Sequence, residues 1–172
     1  GRISGGVFKK GDEVVVLPSG FHSKIKSIIT FNKEIEEAHA PMSVTLTLSD
    51  DLDISRGDMI VRENNQPRIL KEIELMVCWL GENPLTEKGK YAVKHTSNEV
   101  RGIVKEVLYK IDINTLHRNV NDLKINCNDI ARITIKLSQP LLVDKYNDNR
   151  STGSLIIIDE NTNNTVGAGM II

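Results

Sequence analysis

Arg132-Ile133-Thr134-Ile135-Lys136-Leu137 alternates a polar with an aliphatic residue over six positions. In an extended chain successive side chains point to opposite faces, so Ile133, Ile135 and Leu137 fall on one face. Ser43-Val44-Thr45-Leu46-Thr47-Leu48 repeats the pattern with Val44, Leu46 and Leu48. Working outward, the spans 13–17, 24–31, 72–79, 91–95, 101–109, 154–159 and 165–172 read as further strands. Turn signals separate them: Lys10-Gly11-Asp12, Pro18-Ser19-Gly20, Arg56-Gly57-Asp58, Gly81-Glu82-Asn83-Pro84 and Lys88-Gly89. No segment carries a sustained apolar stripe at i, i+3, i+4, i+7. The spans 54–56 and 114–119 suit one helical turn each. Short strands with frequent turns predict an all-β chain built as a barrel or sandwich.

A polar stretch, Arg62-Glu63-Asn64-Asn65-Gln66-Pro67, separates two strand-rich halves and reads as an interdomain linker. The expected domains are 1–66 and 67–172. The first is short for an independent barrel. The chain opens at Gly1-Arg2-Ile3 rather than at Met, which leads us to expect a fragment whose first barrel lacks its opening strand. With aromatic residues at 4%, the core must be built mainly from Ile, Val and Leu, residues that favour strands.

Charge is nearly balanced, 22 basic against 23 acidic side chains, so no global field draws the chain to nucleic acid or to anionic lipid. No apolar run approaches the roughly 18 residues of a membrane-spanning helix. Cys78 and Cys127 lie far apart and outside any metal-ligand spacing, which suits reduced thiols and a cytoplasmic location. Within the first half, basic residues 2, 9, 10, 24 and 26 precede an acidic stretch that includes Glu34, Glu36, Glu37, Asp50, Asp51 and Asp53. Such asymmetry suits docking to a partner protein or domain.

Several short motifs bear on chemistry. A P-loop cradles phosphates with backbone amides and a lysine, and needs Ser or Thr after that lysine to hold magnesium. The nearest approach, Gly89-Lys90, has Tyr91 at that position and Pro84 where the first glycine belongs. Asn32-Lys33-Glu34 begins like a guanine-recognition motif but continues with Ile35 instead of Asp. His22, His39, His95 and His117 are scattered and form no ligand pair. Ser4-Gly5-Gly6 and Ser19-Gly20 do not make a nucleophile elbow. The carboxylate groups at 34–37 and 50–53 read as solvated loops, and Arg56-Gly57-Asp58 as a turn. Gly167-Ala168-Gly169 resembles part of a dinucleotide loop without the helix such a loop opens. Asn149-Arg150-Ser151 and Asn163-Asn164-Thr165 match a glycosylation sequon that a cytoplasmic protein would not use. We expect no catalytic, cofactor-binding or metal-binding residue in this chain.

Longer patterns carry a resemblance. Gly1-Arg2-Ile3 with Gly6-Val7-Phe8-Lys9-Lys10-Gly11-Asp12-Glu13-Val14 is similar to the opening of the second domain of translational GTPases such as elongation factor Tu. Ile54-Ser55-Arg56-Gly57-Asp58-Met59-Ile60 resembles a segment near the end of that barrel. In the second half, 74–80, 89–95, 109–116 and 137–141 resemble the GTPase-subunit family of sulfate adenylyltransferase more than elongation factor Tu. Val14-Val15-Val16-Leu17-Pro18-Ser19-Gly20 and the ending, Asn149-Arg150-Ser151-Thr152-Gly153-Ser154 through Ile171, point to the same branch.

The resemblance implies two antiparallel β-barrels like domains 2 and 3 of elongation factor Tu-like GTPases, the first truncated at its N-terminus. It implies a heteromeric parent that makes adenylyl sulfate and pyrophosphate from ATP and sulfate in sulfate assimilation. Sulfate is a weak nucleophile and the product anhydride lies uphill, so GTP hydrolysis on the larger subunit is coupled to adenylyl transfer on a smaller catalytic subunit. The GTP and Mg site would lie in a preceding domain outside this segment. None of that domain's motifs has a counterpart here, so the barrels are expected to be non-catalytic, docking to the small catalytic subunit and to their own GTPase domain. The alternative is the tRNA-binding barrel portion of a translation elongation factor-like GTPase, which the near-neutral charge disfavours.

Overall fold

A computed structural model describes residues 1–172, which form fourteen strands and no helix. They fall into two units, Gly1–Pro67 and Arg68–Ile172. The first holds β1 (Val7–Lys9), β2 (Glu13–Leu17), β3 (Phe21–Thr30), β4 (Lys33–Ile35), β5 (Glu37–His39), β6 (Thr45–Leu48) and β7 (Met59–Val61). The ten-residue β3 is its spine. Its first half pairs with β2, and its second half lies between β4 and β6. β2 also pairs with β7, while β1 and β5 form a separate ribbon. All these pairings are antiparallel.

Local chemistry explains the turns. Gly11 has φ 87° between β1 and β2, a left-handed conformation that glycine adopts without steric penalty. The Asp12 carboxylate accepts hydrogen bonds from the Lys9 amide at 2.9 Å and from Arg62 at 2.6 Å. Burial alone would raise the Asp12 pKa, but these two donors hold it below its ordinary value. Between β3 and β4 the loop is only Phe31-Asn32, with φ 46° and 61°. Val44, Leu46 and Leu48 pack on the core of this unit, as their alternation predicts, around Val14, Ile25 and Ile28.

The second unit holds β8 (Arg68–Trp79), β9 (Lys90–His95), β10 (Asn98–Ile111), β11 (Arg118–Asn119), β12 (Ile130–Val143), β13 (Ser154–Ile158) and β14 (Thr165–Ile171). The antiparallel order β10-β12-β8-β14-β13-β9 returns to β10, closing a six-stranded barrel, and β11 is appended to the far end of β10. Closure gives each of those six strands a partner on both sides over part of its length, while residues 68–74 of β8 ladder with β12 alone. Ile133, Ile135 and Leu137 are buried in its core, joined by Leu75, Val77 and Trp79 from β8. Trp79 donates its indole N–H to the Asn83 carbonyl at 2.8 Å and meets Tyr91 edge to face, ring centroids 5.6 Å apart. The β12 register with β8 shifts between Lys136 and Leu141, the interval that contains Pro140. A proline has no N–H to give a ladder, so it is accommodated at such an irregularity.

Of the two expected helical turns, the first does not form and the second is reduced to one turn displaced toward Asp112. Residues 54–56 run irregularly into the turn at Gly57, whose φ of 108° no helix accepts. In 114–119 the Asp112 carboxylate captures the amides of Asn114 and Thr115 at 2.8 and 3.2 Å. One helical-type bond also forms, from the Leu116 amide to the Asp112 carbonyl at 2.7 Å, but Leu116 itself has φ 60°, which ends the turn, and the chain leaves it as β11.

Candidate functional site

The Gly89-Lys90-Tyr91 segment enters β9 through a tight turn. The Gly89 amide donates to the Thr86 carbonyl at 2.9 Å, and the Lys88 amide to Val104 at 2.9 Å. A Cβ on Gly89 would lie 2.7 Å from the Thr86 oxygen. Its amides are therefore committed to the fold, and Tyr91 is a core residue against Trp79. The segment is thus a β-turn and not a phosphate-binding loop: the Gly89 and Lys88 amides are used within the fold, and the Tyr91 and Thr86 hydroxyls face Thr86 and Pro84. The Asn32-Lys33-Glu34 segment is the β3–β4 hairpin, in which Asn32 serves the turn.

The other candidates are dispersed by the fold. His22, His39 and His117 are exposed on separate segments. Glu34 and Glu37 pair with Lys10 and Lys9 at 2.8 and 3.4 Å, so they brace β4 and β5 against the β1 turn. Asp50 accepts from the Ser23 hydroxyl at 2.7 Å and thereby fastens the chain after β6 to β3. In Arg56-Gly57-Asp58, the Asp58 carboxylate accepts the Ser55 amide at 2.9 Å, closing a turn. Gly167, Ala168 and Gly169 lie within β14, where the inward-facing glycines admit Leu75, Val77 and Trp79.

One polar group escaped the sequence reading. His95 follows Tyr91 and Val93 on the inward register of β9 and is 1% exposed. Its Nε2 lies 2.7 Å from the Thr152 carbonyl, and Nδ1 has no hydrogen-bond partner. The Thr152 hydroxyl donates in turn to Asp144. Burial pushes the imidazole pKa below its ordinary value, partly opposed by the Thr152 carbonyl and the Asp144 charge. The neutral Nε2–H tautomer thus ties the 144–153 loop to the barrel. The alternation Tyr91, Val93, His95 was the signal that placed this ring inside.

Outside the barrel, charge is distributed unevenly. Across β10, β12 and the early part of β8, Lys105 pairs with Glu72 at 2.6 Å and Arg132 with Glu74. These partners neutralise one another on the surface.

Comparison with known proteins fits this picture. Residues 72–172 match the family described as GTP-eEF1A C-terminal domain-like. The chain is 46% identical over its full length to the bifunctional enzyme CysN/CysC of Mycobacterium tuberculosis, of which it covers 28%. It is 43% identical to sulfate adenylyltransferase subunit 1 of Alteromonas mediterranea, over its full length and 36% of that protein. It therefore spans about a third of the length of these curated relatives. Among solved structures, sup35 complexed with GDP superposes on the whole chain with a TM-score of 0.87 at 18% identity, over 42% of the sup35 chain. That likeness establishes an elongation-factor-like barrel fold. Through residues 72–172, more than half its length, the chain belongs to the GTP-eEF1A C-terminal domain-like family, and along its whole length its homologues are sulfate adenylyltransferase subunit 1 proteins.

Proposed function

We propose that this chain is the non-catalytic barrel portion of a sulfate adenylyltransferase GTPase subunit, acting in the cytoplasm to dock and couple the small catalytic subunit. The observation that carries the reading is identity of 40 to 43% along the whole chain to proteins named sulfate adenylyltransferase subunit 1. In the parent reaction ATP and sulfate give adenylyl sulfate and pyrophosphate, an uphill step driven by GTP hydrolysis elsewhere in the same protein. GTP and magnesium belong to a domain other than these barrels. A closed barrel suits such a coupling part, because a rigid body passes on a displacement applied to it instead of absorbing it.

The test is size-exclusion chromatography of the chain mixed with the small sulfate adenylyltransferase subunit, with a full-length GTPase subunit as reference. Co-elution is expected, together with no GTP hydrolysis and no adenylyl transfer by the chain alone. If the full-length subunit captures the small one and this chain does not, the docking role is lost.

A further inference from the structure

Phe31 is the most exposed large hydrophobic residue of the chain, at 97%, and stands at the tip of the β3–β4 hairpin. The loop contains only Phe31 and Asn32, both at positive φ, 46° and 61°. Such a turn favours Asn or Gly at its two positions, because a Cβ in left-handed backbone crowds the following carbonyl oxygen. A phenyl ring here strains the backbone and leaves a large apolar surface in water, and no contact within the chain offsets either cost. The hairpin beneath it is firmly held. Thr30 pairs with Lys33, Ile29 with Glu34 and Ile28 with Ile35. Ile28 is fully buried, and Ile35 packs on the same core. On its other side this half of β3 pairs with β6, and Glu34 takes the Lys10 ammonium at 2.8 Å. The ring therefore rides on a rigid, protruding support. Lys33 beside it is exposed and forms none of the ion pairs that tie Lys9, Lys10 and Lys24 on this unit.

We infer that Phe31 is an anchor that enters an apolar pocket on the small catalytic subunit, with Lys33 meeting a carboxylate at the rim of that pocket. Naming the subunit rests on the function proposed above. A conformation disfavoured by its own residue persists where the group it displays serves a contact outside the fold. A ring on so narrow a tip is a convex knob, which calls for a concave pocket in a protein and not for a flat surface. Its support is already ordered, so little conformational freedom is lost when the ring is buried. A separate subunit suits this anchor better than a domain of the same polypeptide does. A tethered domain is held at high effective concentration and binds through weak contacts. A free subunit must offset its lost translational freedom, and a few concentrated aromatic anchors do so. The unpaired Lys33 charge adds orientation and a faster encounter with an acidic rim.

Affinity for the small subunit is measured with the full-length GTPase subunit and with this chain, each unaltered and carrying Phe31→Asn, Phe31→Trp or Lys33→Glu. Phe31→Asn should weaken capture about tenfold or more while raising the urea midpoint. Affinity and stability then move in opposite directions, which a merely structural residue would not produce. Phe31→Trp should hold affinity within about threefold, and Lys33→Glu should slow association about threefold. Equal capture by the unaltered protein and Phe31→Asn overturns the inference and leaves the coupling function intact. A Phe31→Asn loss seen in the full-length subunit, with no capture by this chain in any form, supports the anchor and counts against the chain as a sufficient docking part. Absence of capture by both unaltered proteins overturns the inference together with the function on which it rests. A photoreactive p-benzoylphenylalanine at position 31 of the full-length subunit locates the contact. A crosslink to the small subunit supports the inference, and one to the subunit's own GTP-binding domain overturns it.

Discussion

His95 is held neutral by its surroundings, and this fixes the sign of a pH effect. Its folded pKa lies below the unfolded value of about 6.5, because burial removes water and Nδ1 has no acceptor to receive a new proton. Above that pH both states are neutral and the group contributes no slope. As pH falls through about 6.5 the unfolded chain takes up a proton that the folded chain refuses, so stability declines until the folded pKa is reached. The slope from one such proton is at most about 1.4 kcal/mol per pH unit. Urea unfolding of the wild type and of His95→Gln between pH 7.5 and 5 measures it; the variant should show the flatter profile, and equal slopes would refute a buried neutral imidazole. Phe31 makes a second prediction. It is 97% exposed at φ 46° in a two-residue hairpin, where left-handed backbone is costly for a bulky side chain and tolerated by Asn. Phe31→Asn should raise stability by about 0.5–1 kcal/mol, read from the urea midpoint.

Within β12, neighbouring positions differ sharply in what they contribute. Ile133 is buried in the barrel core, while Arg132 lies on the outer wall with Glu74 and the Tyr109 ring. Ile133→Ala leaves a cavity and should cost about 2–5 kcal/mol. Arg132→Ala breaks an ion pair whose Glu74 side chain is 40% exposed, and solvent screening holds its effect below about 1 kcal/mol. Parallel urea titrations compare the two; a larger loss at Arg132 would mean that the outer wall, not the core, holds this strand. This inside–outside division is the part of the fold that the sequence discloses, because Ile133, Ile135 and Leu137 repeat it often enough to set a period. β4, β5, β7 and β11 contain two or three residues each, too few for any period to show. The run of β12 through Pro140 was hidden because proline normally ends a strand, and only the register shift beside β8 accommodates it. The hairpin role of Asn32 and the turn role of Gly89 follow from local chemistry. The His95 contact joins residues 57 apart, so it leaves no mark in any short window.

The two units differ in how much core each can call on. Six buried hydrophobic residues form the cluster in Gly1–Pro67, against nineteen in Arg68–Ile172. Small domains bury a lesser share of their surface, and the first unit is near the size at which stability becomes marginal. Its strands are mostly short, and its sheets do not close into one ladder. The second unit closes its ladder through six strands, so each barrel strand is hydrogen-bonded on both sides by residues of the same unit. Residues 68–172 produced alone should therefore fold. Trp79, the chain's single tryptophan, is 1% exposed inside this barrel and bonded to Asn83. Its fluorescence should be blue-shifted in the excised unit and move to the red in one cooperative urea transition, with a slope of about 1–2 kcal/mol per molar. Residues 1–67 alone, followed by far-UV circular dichroism, should unfold at distinctly lower urea. If the excised 68–172 unit instead shows a solvent-exposed Trp79 while the full chain does not, barrel closure is not sufficient for folding. The stability of this barrel would then depend on the rest of the chain.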